Sequence, residues 1–172
     1  MELMHCVFSQ DGYIIRQDAL KDVPFGGVSS RENGCGWIAA YNFLRAELRP
    51  VDWDTVRKDL SRSLLFHGKL GLNAFVLYGY LTSKGCTLHS ACTLSAAKEL
   101  TANCRTGLLM YETGKSRHFV AFHREADGKL RFWNARADAP DCLITIEEFC
   151  SRFVRFPVFW LFATRETPPA LR

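Results

Sequence analysis

Cys35 sits between two glycines, in the run ENGCGW at 32–37, where a helical rhythm begins. From there Trp37, Ala40, Tyr41, Leu44 and Leu48 recur at the spacing of one buried helix face. A cysteine at such a start meets the positive end of the helix dipole and unpaired N–H groups, both of which favour a thiolate. The flanking glycines allow another molecule close to the backbone. The chemistry this suggests is nucleophilic attack. It needs a base to share the thiol proton and a third group to hold that base.

His5, His67, His89, His118 and His123 are the candidate bases. His118 follows the turn-like ETGKSR and opens an apolar strand, and the hairpin after it decides whether a third group is near. The run HFVAFHREADGKLRFWNA reads as two strands, and two turn geometries fit. With Asp127-Gly128 as a two-residue turn, Ala126 pairs with Lys129 and Asn134 points away from His118. With Ala126–Gly128 as a three-residue loop and Gly128 left-handed, Glu125 pairs with Lys129. His118 then lies opposite Arg136 and Asn134 opposite Val120. Asn134 becomes a same-face diagonal neighbour of His118, roughly 7–8 Å away. Only this register permits a Cys–His–Asn site. Asp138, in a loop beyond Asn134, is the fallback third member. Each residue also has a structural alternative: Cys35 a small packing residue, His118 a satisfied core histidine, Asn134 a turn cap. Their co-occurrence favours the chemistry.

The elements that must position these residues follow from pattern. VPFGGVSS marks a loop before the first helix, and its double glycine, Gly26-Gly27, reads as part of that loop. Pro50 closes the helix, and Asp52 has the residue type of an N-cap for a second, in VDWDTVRKDLSRSL. A third apolar helix is predicted over 72–83, stopping at Gly85. Cys86–Ala91 reads as a strand and Ser95–Thr101 as a short helix. TGLLMYE, HFVAFHRE and KLRFWNA are extended runs, followed by a helix at Thr145–Phe153 and a last strand, PVFWLFAT. Helices come first and a mostly antiparallel sheet later, an α+β layout. A single domain over 1–172 is expected, with 1–24 an N-terminal extension and 168–172 a loose tail.

Composition bounds the partners. With 172 residues, 48% hydrophobic and 23% charged, the chain suits one soluble domain with a sizeable core. The net charge is +4, but Lys and Arg are scattered rather than gathered in a stripe, so no nucleic-acid partner is expected. The N-terminus lacks the pattern of a signal peptide. No window approaches the roughly 18 apolar residues of a membrane span. Seven irregularly spaced cysteines suggest no disulfide framework, and a reducing, cytoplasmic setting is expected. Cys86, His89 and Cys92 look superficially like metal ligands. On a strand, however, His89 would face away from the two cysteines, and the paired Cys-x-x-Cys of structural zinc sites is missing. No metal or cofactor is expected.

The sequence resembles the papain-like cysteine peptidases, and within them the bacteriocin-processing double-glycine peptidases. The matching pieces are NGCGW with its helix, RHFVAF and RFWNA, in the order Cys, His, Asn, and the resemblance spans most of residues 25–165. It implies a papain-like fold, with Cys35 as nucleophile, His118 as general acid/base and Asn134 as orienting group. It also implies a peptide or protein substrate. Those families place a Gln a few residues before the cysteine as an oxyanion donor, but VSSRENGC has none. Ser29, Ser30 or Asn33 would have to substitute, helped by the Cys35 backbone N–H. Losing one such donor typically costs on the order of 100–1,000-fold in rate. The expected activity is cysteine-dependent acyl transfer on peptides. A deamidase or transglutaminase-like enzyme on the same scaffold, or a non-catalytic interaction module, are the alternatives.

Overall fold

The computed structural model describes residues 6–49, 51–64, 66–69, 71–114, 116–155 and 159–165. The first of these fold back on themselves: Phe8 bridges Ile14, and a 3-10 turn follows at Gln17–Ala19. Ile14 is fully buried, because both its N–H and its C=O are taken by the side chain of buried Asn42. VPFGGVSS, expected as a loop, is a small hairpin in which β1 (Pro24–Phe25) pairs with β2 (Val28–Ser29). Gly26 turns it with φ +67, and a Cβ there would meet the His67 carbonyl at 2.6 Å. The Gly27 N–H donates to that same carbonyl at 2.7 Å, so the double glycine is packed against the His67 loop.

A short helix, α1 (Ser30–Asn33), breaks at Gly34 and restarts as α2 (Cys35–Ala46). Trp37, Ala40, Tyr41 and Leu44 are buried as the periodicity requires. Leu48 is not. The helix ends at Ala46, and the chain leaves it through Leu48 and Arg49 N–H bonds back to Arg45 and Leu44. Leu48 is thereby left at φ 55 and 77% exposed. Pro50 lies outside the described residues. Helix α3 (Trp53–Ser61) starts where Asp52 accepts the Thr55 N–H at 2.9 Å. Helix α4 (Ala74–Ser83) begins two residues later than the pattern predicts, because Asn73 caps it. It stops at Gly85, which has φ +82.

The second half alternates differently. Strand β3 (His89–Ala91) is shorter than the Cys86–Ala91 expected, and α5 (Leu94–Ala102) is capped by Thr93. Then come β4 (Cys104–Glu112), β5 (Arg117–Arg124), β6 (Leu130–Arg136) and β7 (Ala139–Ile144). Helix α6 (Ile146–Phe153) opens with a capping box between Thr145 and Glu148, and β8 (Phe159–Arg165) follows. The sequence reading left residues 139–144 without an element. Pro140 suppresses the strand signal there, and β7 tolerates it as an edge strand paired only with β6.

The antiparallel sheet runs β3-β8-β4-β5-β6-β7, and helices cover both faces. Leu108, Phe119, Ala121, Trp133 and Phe162 pack towards α2, α3 and α4. Their strand neighbours Leu109, Val120, Phe122, Phe132 and Leu161 pack with the apolar side chains of α5 and α6. Burial on both faces is why these strands read as continuous apolar runs. Helix α2 lies across β5, which brings the start of the one to the start of the other. The fold class is α+β, as the element order implies.

The β5–β6 hairpin has the three-residue loop. Glu125 N–H donates to Lys129 O at 2.8 Å, Gly128 has φ +85, and Ala121 pairs with Trp133. Beyond that pair the expected ladder is not formed. Asn134 turns to φ 63, the β6–β7 register shifts between Trp133 and Arg136, and Arg136 pairs with Ala139 instead of lying opposite His118. A left-handed residue inside a strand redirects its carbonyl out of the ladder, which interrupts the pairing at that point.

Candidate active site

Cys35 and His118 line one cleft of about 770 Å³, together with Gln17, Asn33, Leu72 and Phe119 among others. Cys35 is the first residue of α2, and the N–H groups of Phe119, Gly36 and Cys35 itself act on its sulfur in favour of the thiolate. Burial acts more strongly in the opposite sense and pushes the thiol above its ordinary value. This corrects the sequence-based expectation of a comfortable thiolate: the helix start is covered by the sheet, and desolvation outweighs the dipole and the amides.

His118 stands near the start of β5, half-buried. Its Nε2 lies 2.8 Å from the main-chain oxygen of Asn134. A carbonyl only accepts, so Nε2 carries the proton and Nδ1 keeps its lone pair for use as a base. Burial pushes the imidazole below its ordinary value, and the bond to Asn134 partly offsets this. The ring meets Tyr111 edge-on at 5.6 Å, and the Tyr111 hydroxyl donates to Ala135 O at 2.7 Å. His118 and Cys35 form no direct hydrogen bond. Phe119, the residue after His118, lines the same cleft as both. Burial thus acts against the charged form of both groups, raising the thiol and lowering the imidazole.

Asn134 is beside His118, but with its backbone rather than its side chain. The Asn134 amide is buried and turned to Gln17: Oδ1 accepts the Gln17 backbone N–H at 3.1 Å, and Nδ2 donates to Gln17 Oε1 at 3.1 Å. Gln17 Nε2 in turn donates to Arg31 O at 3.1 Å. Sequence reasoning missed Gln17 because it sought a glutamine only in the stretch just before the cysteine. The pair with Asn134 spans 117 residues, and nothing local signals it.

The expected oxyanion substitutes are otherwise engaged. Asn33 lines the cleft, but its Nδ2 donates to the carbonyls of Gly68 and Lys69, at 2.6 Å and 3.3 Å. Ser30 is fully buried under Trp37, whose Nε1 donates to its hydroxyl, and so it does not reach the cleft. Ser29 precedes α1 and is not part of the cleft lining. Asp138 forms an exposed ion pair with Arg136, away from His118.

Among the other histidines, His67 packs by the Gly26-Gly27 turn and His89 lies on β3. His123 faces Thr106 and lines a larger open groove with Tyr13, Arg45 and Trp133 that contains neither Cys35 nor His118. His5 lies outside the described residues. Cys86 is buried and Cys92 exposed. Strand β3 starts only at His89, so the expected single-strand geometry for Cys86, His89 and Cys92 does not apply. Among the described residues, no three His, Cys, Asp or Glu side chains are grouped to hold a metal ion.

Helices laid on an antiparallel sheet in this order make a fold also found in solved peptidase domains. The chain shares that fold with the peptidase domain of Streptococcus ComA, a bi-functional ABC transporter involved in a quorum-sensing pathway. That likeness has a TM-score of 0.56 at 13% identity, covering 78% of this chain and 93% of that one. It is also similar to a double glycine motif protease from an AMS/PCAT transporter, solved in complex with the leader peptide. There the TM-score is 0.51 at 17% identity, covering 76% and 84%. No protein-family model matches the chain, and no curated protein does. No helix among the described residues is long and apolar enough to cross a membrane.

Proposed function

We propose that the chain is a cysteine-dependent acyl-transfer enzyme, a thiol peptidase acting on peptides through Cys35, His118 and Asn134. The observation that carries this reading is the placement of His118. Its Nε2 is tied to the Asn134 carbonyl, and its Nδ1 is left basic in the cleft that holds the Cys35 sulfur. Because burial disfavours both the thiolate and the imidazolium, the proton moves as the bond forms. Sγ attacks the substrate carbonyl while His118 Nδ1 takes the thiol proton. His118 then gives that proton to the leaving amine. It next draws a proton from water as the thioester is hydrolysed, and the thiol is regenerated. The Asn134 carbonyl supports the transient imidazolium. The Cys35 N–H at the start of α2 is the oxyanion donor the site offers, and no cofactor is needed. Peptide as the substrate rests on the likeness to the two peptidase domains.

The test is hydrolysis of peptides containing a Gly-Gly site, followed by mass spectrometry. Cys35→Ala and His118→Ala should each lower the rate by at least about a thousandfold. Cleavage that survives Cys35→Ala removes the proposal. One observation favours a second reading, a non-catalytic peptide-binding module: the unbonded pair, whose charged forms burial opposes, with Asn33 already engaged. In that case Cys35→Ala and the native chain bind peptide equally and neither cuts it.

A further inference from the structure

We infer that Gln17 is the positioning residue of this site: its amide, paired with that of Asn134, holds the Asn134 carbonyl against His118 Nε2. Asn134 needs such a hold. It sits inside β6 with φ 63, a conformation L residues rarely adopt, although asparagine tolerates it better than most. The recorded pairing with β5 stops at Trp133, and the pairing with β7 resumes only at Arg136. The sheet ladder therefore does not orient the Asn134 peptide. What orients it is Gln17, which accepts from Nδ2 and donates its backbone N–H to Oδ1, both at 3.1 Å. Two bonds closing a ring between two residues fix the direction of the amide and, through it, of the carbonyl that meets the imidazole at 2.8 Å.

The third bond of Gln17 extends the role to the nucleophile. Its Nε2 donates to Arg31 O in α1, the short helix that leads directly into Cys35. One side chain thus ties the lead-in of the nucleophile to the acceptor of the base, across elements far apart in sequence. The sheet places His118 opposite Tyr111, but without Gln17 it does not by itself set the imidazole tautomer. The catalytic meaning of this hold rests on the reading of His118 as the base of the site, but the hold itself can be measured without any activity.

The measurement is the nitrogen NMR spectrum of the His118 ring near neutral pH, identified by its loss in His118→Ala. The native chain should show one neutral tautomer, with the proton on Nε2. Gln17→Leu, which keeps the backbone N–H but loses the side-chain bonds, should give a mixture of tautomers. Gln17→Glu, which still offers an oxygen to Asn134 Nδ2, should retain the Nε2–H form. If Gln17→Leu fails to fold, Asn134→Gly, which keeps the backbone conformation without the amide, should show the same loss. A His118 spectrum identical to the native one in whichever of these two variants folds overturns the inference. Where cleavage is measurable, Gln17→Leu should lower kcat about ten- to a hundredfold with little change in KM. A native chain that cleaves nothing would sink the peptidase reading and leave the spectral test intact.

Discussion

His118 Nε2 and the main-chain oxygen of Asn134 lie 2.8 Å apart, while the Asn134 side chain faces the opposite way and pairs with Gln17. Asn134 meets the imidazole with its backbone. Its side chain serves to hold that backbone in an uncommon conformation.

This division of labour predicts an inverted order of substitutions at 134. Alanine ordinarily suits a strand better than glycine. At φ 63, however, a Cβ is strained, and both replacements lose the same amide bonds to Gln17. Asn134→Gly should therefore be more stable than Asn134→Ala by about 1 kcal/mol in urea denaturation. The reverse order would show that the left-handed conformation is not adopted.

Alkylation kinetics read the state of Cys35. Because burial raises its thiol above the ordinary value, little thiolate exists at pH 7. Iodoacetamide should modify Cys35 more slowly than the exposed Cys92 of the same chain, as read by peptide mass spectrometry. The rate should climb only at alkaline pH, and His118→Ala should change it little. Faster labelling of Cys35 than of Cys92 at pH 7 would mean that a thiolate–imidazolium pair is already formed.

Stability against pH tests the burial of His118. Its pKa in the folded chain lies below the ordinary 6.5, so folding favours the neutral ring. That contribution is present above about pH 6.5 and is lost as pH falls through the lowered folded value, where the unfolded chain is already protonated. Between pH 7 and 5 the native chain should lose stability faster than His118→Gln, by at most about 1.4 kcal/mol per pH unit. Parallel curves would contradict the buried, neutral imidazole.

The glycines before and after Cys35 contrast with Gly79. A Cβ on Gly34 would meet the Ser30 carbonyl at 2.3 Å, and one on Gly36 would meet Leu72 Cδ1 at 2.8 Å. Gly79, inside α4, faces open space. Gly79→Ala should stabilise the chain by about 1 kcal/mol, the ordinary helix preference. Gly34→Ala should destabilise it by about 2 kcal/mol or more, since backbone rather than a flexible side chain blocks the space. Equal effects in denaturation would contradict the tight α1–α2 junction.

Much of the frame is written in short-range signals. The helix opening at Cys35, the cap at Asp52 and the helix near Thr145 each depend on a few adjacent residues and are visible in the sequence, which also narrows the hairpin at Gly128 to two loop lengths. The errors fall where longer-range geometry intervenes. Leu48 keeps the helical spacing but lies past the point where the helix ends, so it is exposed. Strand β7 is hidden by Pro140 and exists because an edge of β6 was available to pair.

The site divides along the same line. Sequence alone determined that a cysteine would start a helix and that a histidine and an asparagine would lie on adjoining strands, because periodicity is a local property; it left open which of two hairpin registers forms, and so whether the two residues share a face. Only the tertiary structure decided that Asn134 would contribute its carbonyl, that its side chain would pair with Gln17, and that burial would oppose the charged forms of thiol and imidazole. Those outcomes depend on desolvation and on hydrogen-bond partners brought together across the chain, and neither is carried by the spacing of residue types.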